Sequence, residues 1–97
     1  MMVVGVEAKD VTLEWEPSPT PGVTGYKIYK AVDKEITNVI DFVIVDNVLT
    51  YQFTDLDDYT GYWFVVTALK DEDESDFSNA VFSPPKLQLD IQWEIIP

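Results

Sequence analysis

The chain contains neither cysteine nor histidine. Without cysteine no disulfide holds the fold and no thiol chemistry is available, and the redox compartment is left open. Without histidine the commonest general base and the commonest zinc ligand are missing together. A Ser–His or Cys–His nucleophile pair cannot be assembled from this chain alone, so an enzyme is not expected. Positive charge is also scarce: 6 basic residues stand against 18 acidic ones, a net charge of −12. A nucleic-acid partner would need a basic footprint, and an anionic membrane surface would repel this chain; neither is an expected partner. No segment is apolar for the ~18 residues that a membrane helix needs. Met1 to Glu7 offers no basic region and no long apolar stretch, so no signal peptide is expected.

What is present points to strands. The 97 residues suit one domain, and 46% hydrophobic with 13% aromatic residues is too apolar for general disorder. The dominant period is two. Val4, Val6 and Ala8 alternate with polar or small residues, and Lys9-Asp10 makes a turn. Val11, Leu13 and Trp15 alternate with Thr12, Glu14 and Glu16. Pro17, Pro19 and Pro21 cannot feed a central ladder, so Glu16 to Gly22 reads as a stiff loop. Tyr26 and Ile28 share one face of a third strand, with Lys27 and Tyr29 on the other. A turn at Asp33-Lys34-Glu35 precedes Val39, Ile40, Phe42, Val43, Ile44 and Val45. The β-branched content there favours a strand over a helix, bulged where the apolar residues change face.

Tyr51 and Phe53 form the next short strand. Tyr62, Phe64, Val66 and Ala68 then alternate with Trp63, Val65, Thr67 and Leu69. Lys70 to Glu74 reads as a charged hairpin loop and Phe77 to Ser83 as the last strand, stopped by Pro84-Pro85. Short strands at regular spacing with turns between them predict a sandwich or barrel. Beyond the prolines, Leu87, Leu89, Ile91, Trp93 and Ile95 fall on one face and Lys86, Gln88, Asp90, Gln92 and Glu94 on the other. This is the most regular strand pattern in the chain.

Several landmarks occur in order. Trp15 ends Val11-Thr12-Leu13-Glu14-Trp15; Gly25-Tyr26-Lys27-Ile28-Tyr29 follows a proline loop; Leu56 precedes Tyr62; Glu74-Ser75-Asp76-Phe77-Ser78-Asn79-Ala80-Val81 comes last. From Val3 to Ser83 the chain resembles a fibronectin type III domain, with Glu74 to Val81 similar to bacterial-type members and Pro17 to Tyr26 similar to bacterial and phage members. The resemblance implies an all-β, seven-stranded immunoglobulin-like sandwich over residues 1–83. It also implies a buried Trp15 and a tyrosine corner in which the Tyr62 hydroxyl bonds nearby backbone. Residues 84–97 are then an extended C-terminal arm carrying an extra strand. The expected core is Val6, Val11, Leu13, Trp15, Tyr26, Ile28, Tyr51, Phe53, Leu56, Tyr62, Phe64, Val66 and Val81. Lys70 to Glu74 lacks an Arg-Gly-Asp tripeptide, so integrin-type adhesion is not implied.

No catalytic, cofactor or metal site is expected. Asp55, Asp57 and Asp58, and Asp71 to Glu74, read as solvated turn charges rather than paired acid and base. Asp71 to Asp76 lacks the frame, glycine and spacing of an EF-hand. The apolar outward face of Tyr29, Trp63, Val65 and Leu69 is either an ordinary scatter of exposed residues or a docking surface; its aromatics could also stack on sugar rings. The arm is either a strand of its own domain or one that adds to a neighbour's sheet. The expected docking residues are therefore Tyr29, Trp63, Val65, Leu87, Leu89, Ile91, Trp93 and Ile95. A lone domain of this family with no export signal resembles small accessory proteins that decorate the capsids or tails of phage particles. That implies protein subunits of a larger assembly, including further copies, as partners, and a virion location. The alternative is a carbohydrate-binding or adhesion module of a bacterial surface or secreted system.

The acidity carries a stability consequence. Self-repulsion at −12 should weaken the folded state. Crowded carboxylates are expected to sit above their unfolded pKa values, with stability rising as pH falls from 7 toward ~5. Added salt should raise the melting temperature, followed by far-UV dichroism from dilute buffer to about 0.5 M sodium chloride; a flat response would remove the repulsion argument.

Overall fold

Apolar and polar residues alternate at Val11-Thr12-Leu13-Glu14-Trp15, where Val11, Leu13 and Trp15 are buried and Glu14 is exposed. In a computed structural model that describes residues 3–4 and 10–85, this segment is β2 (Val11–Trp15). It follows β1 (Val3–Val4) and precedes β3 (Gly25–Ala31), β4 (Val39–Asp46), β5 (Thr50–Phe53), β6 (Tyr62–Lys70), β7 (Asp73–Glu74) and β8 (Val81–Ser83). The described residues contain no helix. All strand pairs are antiparallel. One sheet has the order β1-β2-β5; the other runs β4-β3-β6-β7, with β8 also paired to β6.

The two sheets close over one core. Leu13, Trp15, Tyr26, Ile28, Phe53, Phe64 and Val66 lie within it, with Tyr51, Leu56 and Val81 half-buried at its margin. The core thus follows the sequence expectation, apart from Val6, which lies outside the described residues along with the arm from Lys86 to Pro97. Aromatic rings run through it in contact, Trp15 to Tyr26 at 5.5 Å and Phe53 to Phe64 at 5.1 Å between centroids. The two core tyrosines anchor loops through their hydroxyls: Tyr26 Oη accepts the Ser18 N–H at 3.1 Å and Tyr62 Oη accepts the Asp57 N–H at 3.2 Å. The first holds the proline loop down; the second is the tyrosine corner. Gly25 opens β3 where a Cβ would lie 2.4 Å from the Val45 carbonyl oxygen, so no other residue fits there without moving β4.

The last strand differs from its sequence reading. Instead of one strand from Phe77 to Ser83, the chain leaves β6 through a two-residue turn, Asp71-Glu72, and pairs again as β7. Asp71 takes a positive φ of 54° there, a conformation Asp tolerates. From Leu69↔Glu74 to Phe64↔Val81, the returning chain uses two residues more than β6 does. The extra residues sit at two serines. Ser75 donates its N–H to the Ala68 carbonyl and accepts the Ala68 N–H on its hydroxyl, at 2.9 and 2.8 Å. Ser78 does the same to Val66, at 3.0 and 2.9 Å. Hydroxyls thus replace backbone carbonyls while the strand bulges, and β7 with β8 amounts to one interrupted seventh strand.

Replacing Tyr62 by Phe removes the corner hydrogen bond and keeps the ring. Urea unfolding should show a loss of about 1 kcal/mol. Phe64→Ala, at a fully buried site, should cost about 3–5 kcal/mol. Equal losses from the two would mean that the corner bond is not what Tyr62→Phe reports.

Candidate docking surface

The outward face of the five-stranded sheet is built by the odd residues of β3 and β6. Tyr29 pairs with Val65, and Ala31 with Trp63. Alternation put Val65 on this face correctly, but it is only 1% exposed. The turn after β3 folds back over it: Ile36 joins Ala31 and Val65 in a second small core, with Tyr29, Trp63 and Ala80 packed around. Val65 therefore presents no surface to a partner, which corrects its place among the docking residues. Trp63 is half-buried and lies against Phe82, with ring centroids 4.6 Å apart. Leu87, Leu89, Ile91, Trp93 and Ile95 lie outside the described residues.

Ile36 reaches its position at a positive φ of 59°, rare for a β-branched residue. The Asp33 carboxylate fixes the turn by accepting the N–H groups of Thr37 and Asn38 and the Thr37 hydroxyl. Those bonds hold the Asp33 pKa below its ordinary value, the Thr37 hydroxyl contributing most. Across the sheet Glu74 plays a similar part. Its carboxylate accepts the Tyr29 hydroxyl in a very short bond and the Thr67 hydroxyl at 2.8 Å. The Tyr29 bond is the main cause of a lowered Glu74 pKa. Tyr29 is raised, by burial first and then by the same bond.

The exposed apolar surface lies one strand further out. On β4, Ile40 and Phe42 are each 51% exposed and Ile44 is 59% exposed. Phe42 packs on Tyr29 at 6.3 Å, and the Lys27 ammonium lies 4.2 Å from the Phe42 ring centroid. Val43 and Val45, on the other side of the same strand, pack against the main core. Among the described residues β4 pairs with β3 alone, so its outer edge offers free backbone groups. The Phe42 N–H is instead taken by the preceding Asp41 carboxylate at 2.8 Å. A bulge lies where Lys30↔Asp41 shifts to Ala31↔Val39, as the change of apolar face in the sequence predicted. Sequence reasoning missed this row, although the signal was present: a strand apolar on both faces can bury only one of them in a two-layer fold.

The turn carboxylates do not converge. Asp57 accepts the Tyr59 N–H at 2.9 Å and organises its own turn, and among the described residues no three His, Cys, Asp or Glu group to hold a metal. The two carboxylates that clearly shift both move down, opposite to the rise expected from crowding. Their contribution is complete above the ordinary carboxylate pKa and is lost as pH falls through the depressed values. Stability should therefore drop between pH ~5 and ~2, and Asp33→Asn with Glu74→Gln should flatten that limb in pH-dependent melts. Tyr29 has the opposite sign: its share is present below the ordinary tyrosine pKa and is lost as pH rises past about 10. An unchanged acid limb in the double variant would show that these bonds do not govern it.

No curated protein sequence matches the chain. Solved structures do share its fold. The FN1–FN3 domains of chicken CNTN1 align with a TM-score of 0.71 and 20% identity over 88% of this chain and 30% of that one. The fn3 domain of human contactin 1 aligns at 0.68 and 20%, over 89% and 74%. An Fn3-like protein from Clostridium thermocellum aligns at 0.66 and 21%, over 90% of each. At these identities the likeness speaks for the fold alone. The sequence model of the fibronectin type III domain matches residues 1–83, and the chain accordingly belongs to the fibronectin type III family, whose domains are non-catalytic binding and structural modules.

Proposed function

We propose that this chain is a structural docking module of a larger protein assembly, and in its most specific form an accessory or decoration protein of a phage particle. The observation that carries the docking reading is the exposed row Ile40, Phe42 and Ile44 on a strand whose outer edge has no partner among the described residues. Contiguous apolar surface of that kind marks protein contact sites. Tyr29 and Lys27 border the row, and Trp63 flanks the same face from β6. The phage form is supported by the resemblance of Pro17 to Tyr26 to bacterial and phage members. A sugar-binding role has less support, because Trp15 lies in the core and Trp63 is engaged by Phe82.

The test is physical association. In density gradients of material from its source, the chain should co-sediment at fixed stoichiometry with particles far larger than itself, read by quantitative mass spectrometry. Phe42→Thr with Ile44→Thr keeps strand propensity and removes two of the three residues of the exposed apolar row. This variant should melt within about 1 kcal/mol of the parent and lose co-sedimentation. A parent chain that sediments only as a free small protein would overturn the structural role.

A further inference from the structure

Two features of the chain lack a counterpart within the described fold: an apolar strand edge without a second neighbour, and a strand pattern beyond Pro85. We propose that the edge of β4 receives Leu87–Ile95 of a neighbouring copy as an added strand. The proposal rests on the docking reading above and names its occupant.

The lengths agree. β4 has eight residues, and Leu87–Ile95 supplies nine in unbroken alternation. An added strand with its apolar face outward would extend the row of Ile40, Phe42 and Ile44, while its backbone met the free groups of β4. The Phe42 N–H, held by Asp41, would exchange a carboxylate for a strand carbonyl. Asp41 thus keeps the edge capped until a strand arrives.

Topology decides between a chain's own edge and a neighbour's. β8 pairs on the side of β6 away from β3, while β4 lies beyond β3, so donor and acceptor stand at opposite edges of one sheet. A strand outside β4 would lie four strand spacings from β8, about 19 Å. Crossing that distance from Ser83 takes about six residues of extended chain. A tail returning to its own edge would spend Leu87 and Leu89 on the crossing, and a neighbour's edge requires no such loss. Opposite edges favour a heterologous contact, in which copies join head to tail, over reciprocal exchange in a two-fold dimer.

Sedimentation of the full chain over a concentration series should show oligomers beyond the dimer, and added salt should strengthen them because each copy carries −12. Ile91→Asp with Trp93→Asp removes the donor; Phe42→Thr with Ile44→Thr removes the acceptor. Each variant alone should be monomeric, and their mixture should form a one-to-one pair. A peptide of residues 86–97 should dissociate the parent oligomers. N-methylating alternate residues should weaken it roughly a hundredfold or more for one set and little for the other, because an edge strand offers only every second N–H to its partner. A donor-deficient chain that still associates alone would show β4 edges meeting each other, and a parent monomeric at all concentrations would show no exchange. Either result overturns the proposal, as would two methylated sets of equal effect. Co-sedimentation with particles would survive such a failure, so the two readings fail separately.

Discussion

Seven successive residue pairs join β3 to β6, from Gly25↔Leu69 to Ala31↔Trp63. The register of that one ladder determines both faces of the larger sheet. It turns Tyr26, Ile28, Phe64 and Val66 into the sandwich and sets Tyr29, Ala31 and Val65 on the outside. A slip of one residue would exchange the two sets, emptying the core and exposing its aromatics. β3 then has β6 on one side and β4 on the other, so the ladder also decides that β4 is the edge. The returning chain keeps its place on β6 only by bulging at Ser75 and Ser78.

The outer face could have remained bare, and three local devices close it. Asp33 folds its turn so that Ile36 covers Val65. Phe82 lies on Trp63. Glu74 joins the hydroxyls of Tyr29 and Thr67, the latter fully buried. The left-handed backbone at Ile36 costs about 1–2 kcal/mol, offset by burial of its side chain and by the hydrogen bonds of Asp33. No comparable cover reaches β4 among the described residues, so Ile40, Phe42 and Ile44 stay exposed there, as Phe77 and Phe82 do toward the other edge of the sheet.

How much of this could be read from the sequence depends on the range of the interaction. β2, β3 and β6 were legible because alternation is local and strong: Leu13, Ile28 and Phe64 fall where the period places them. The tyrosine corner was legible through Leu56 and Tyr62 as a known pair of landmarks. The serine bulges were not, since a hydroxyl that substitutes for a carbonyl leaves no trace in hydropathy. Ile36 was not, since a single apolar residue in a polar turn has no period. Val65 shows the limit of the method: alternation gives the direction of a side chain, while its exposure depends on what folds over it from elsewhere.

The net charge and the β4 edge constrain each other. An apolar edge strand invites indiscriminate pairing, and a chain this short cannot bury every strand on both faces. At −12, copies repel at distances comparable to the Debye length, roughly 8–10 Å at moderate salt. Casual edge-to-edge encounters are thereby discouraged, and Asp41 adds a local guard by occupying the Phe42 N–H. Neither barrier prevents a contact that supplies both a run of backbone partners and a continuous apolar face, since those act at contact range and together exceed a screened repulsion. The charge of −12 thus sets one threshold against every acidic partner alike, and apolar match at the edge without backbone hydrogen bonds contributes less toward passing it.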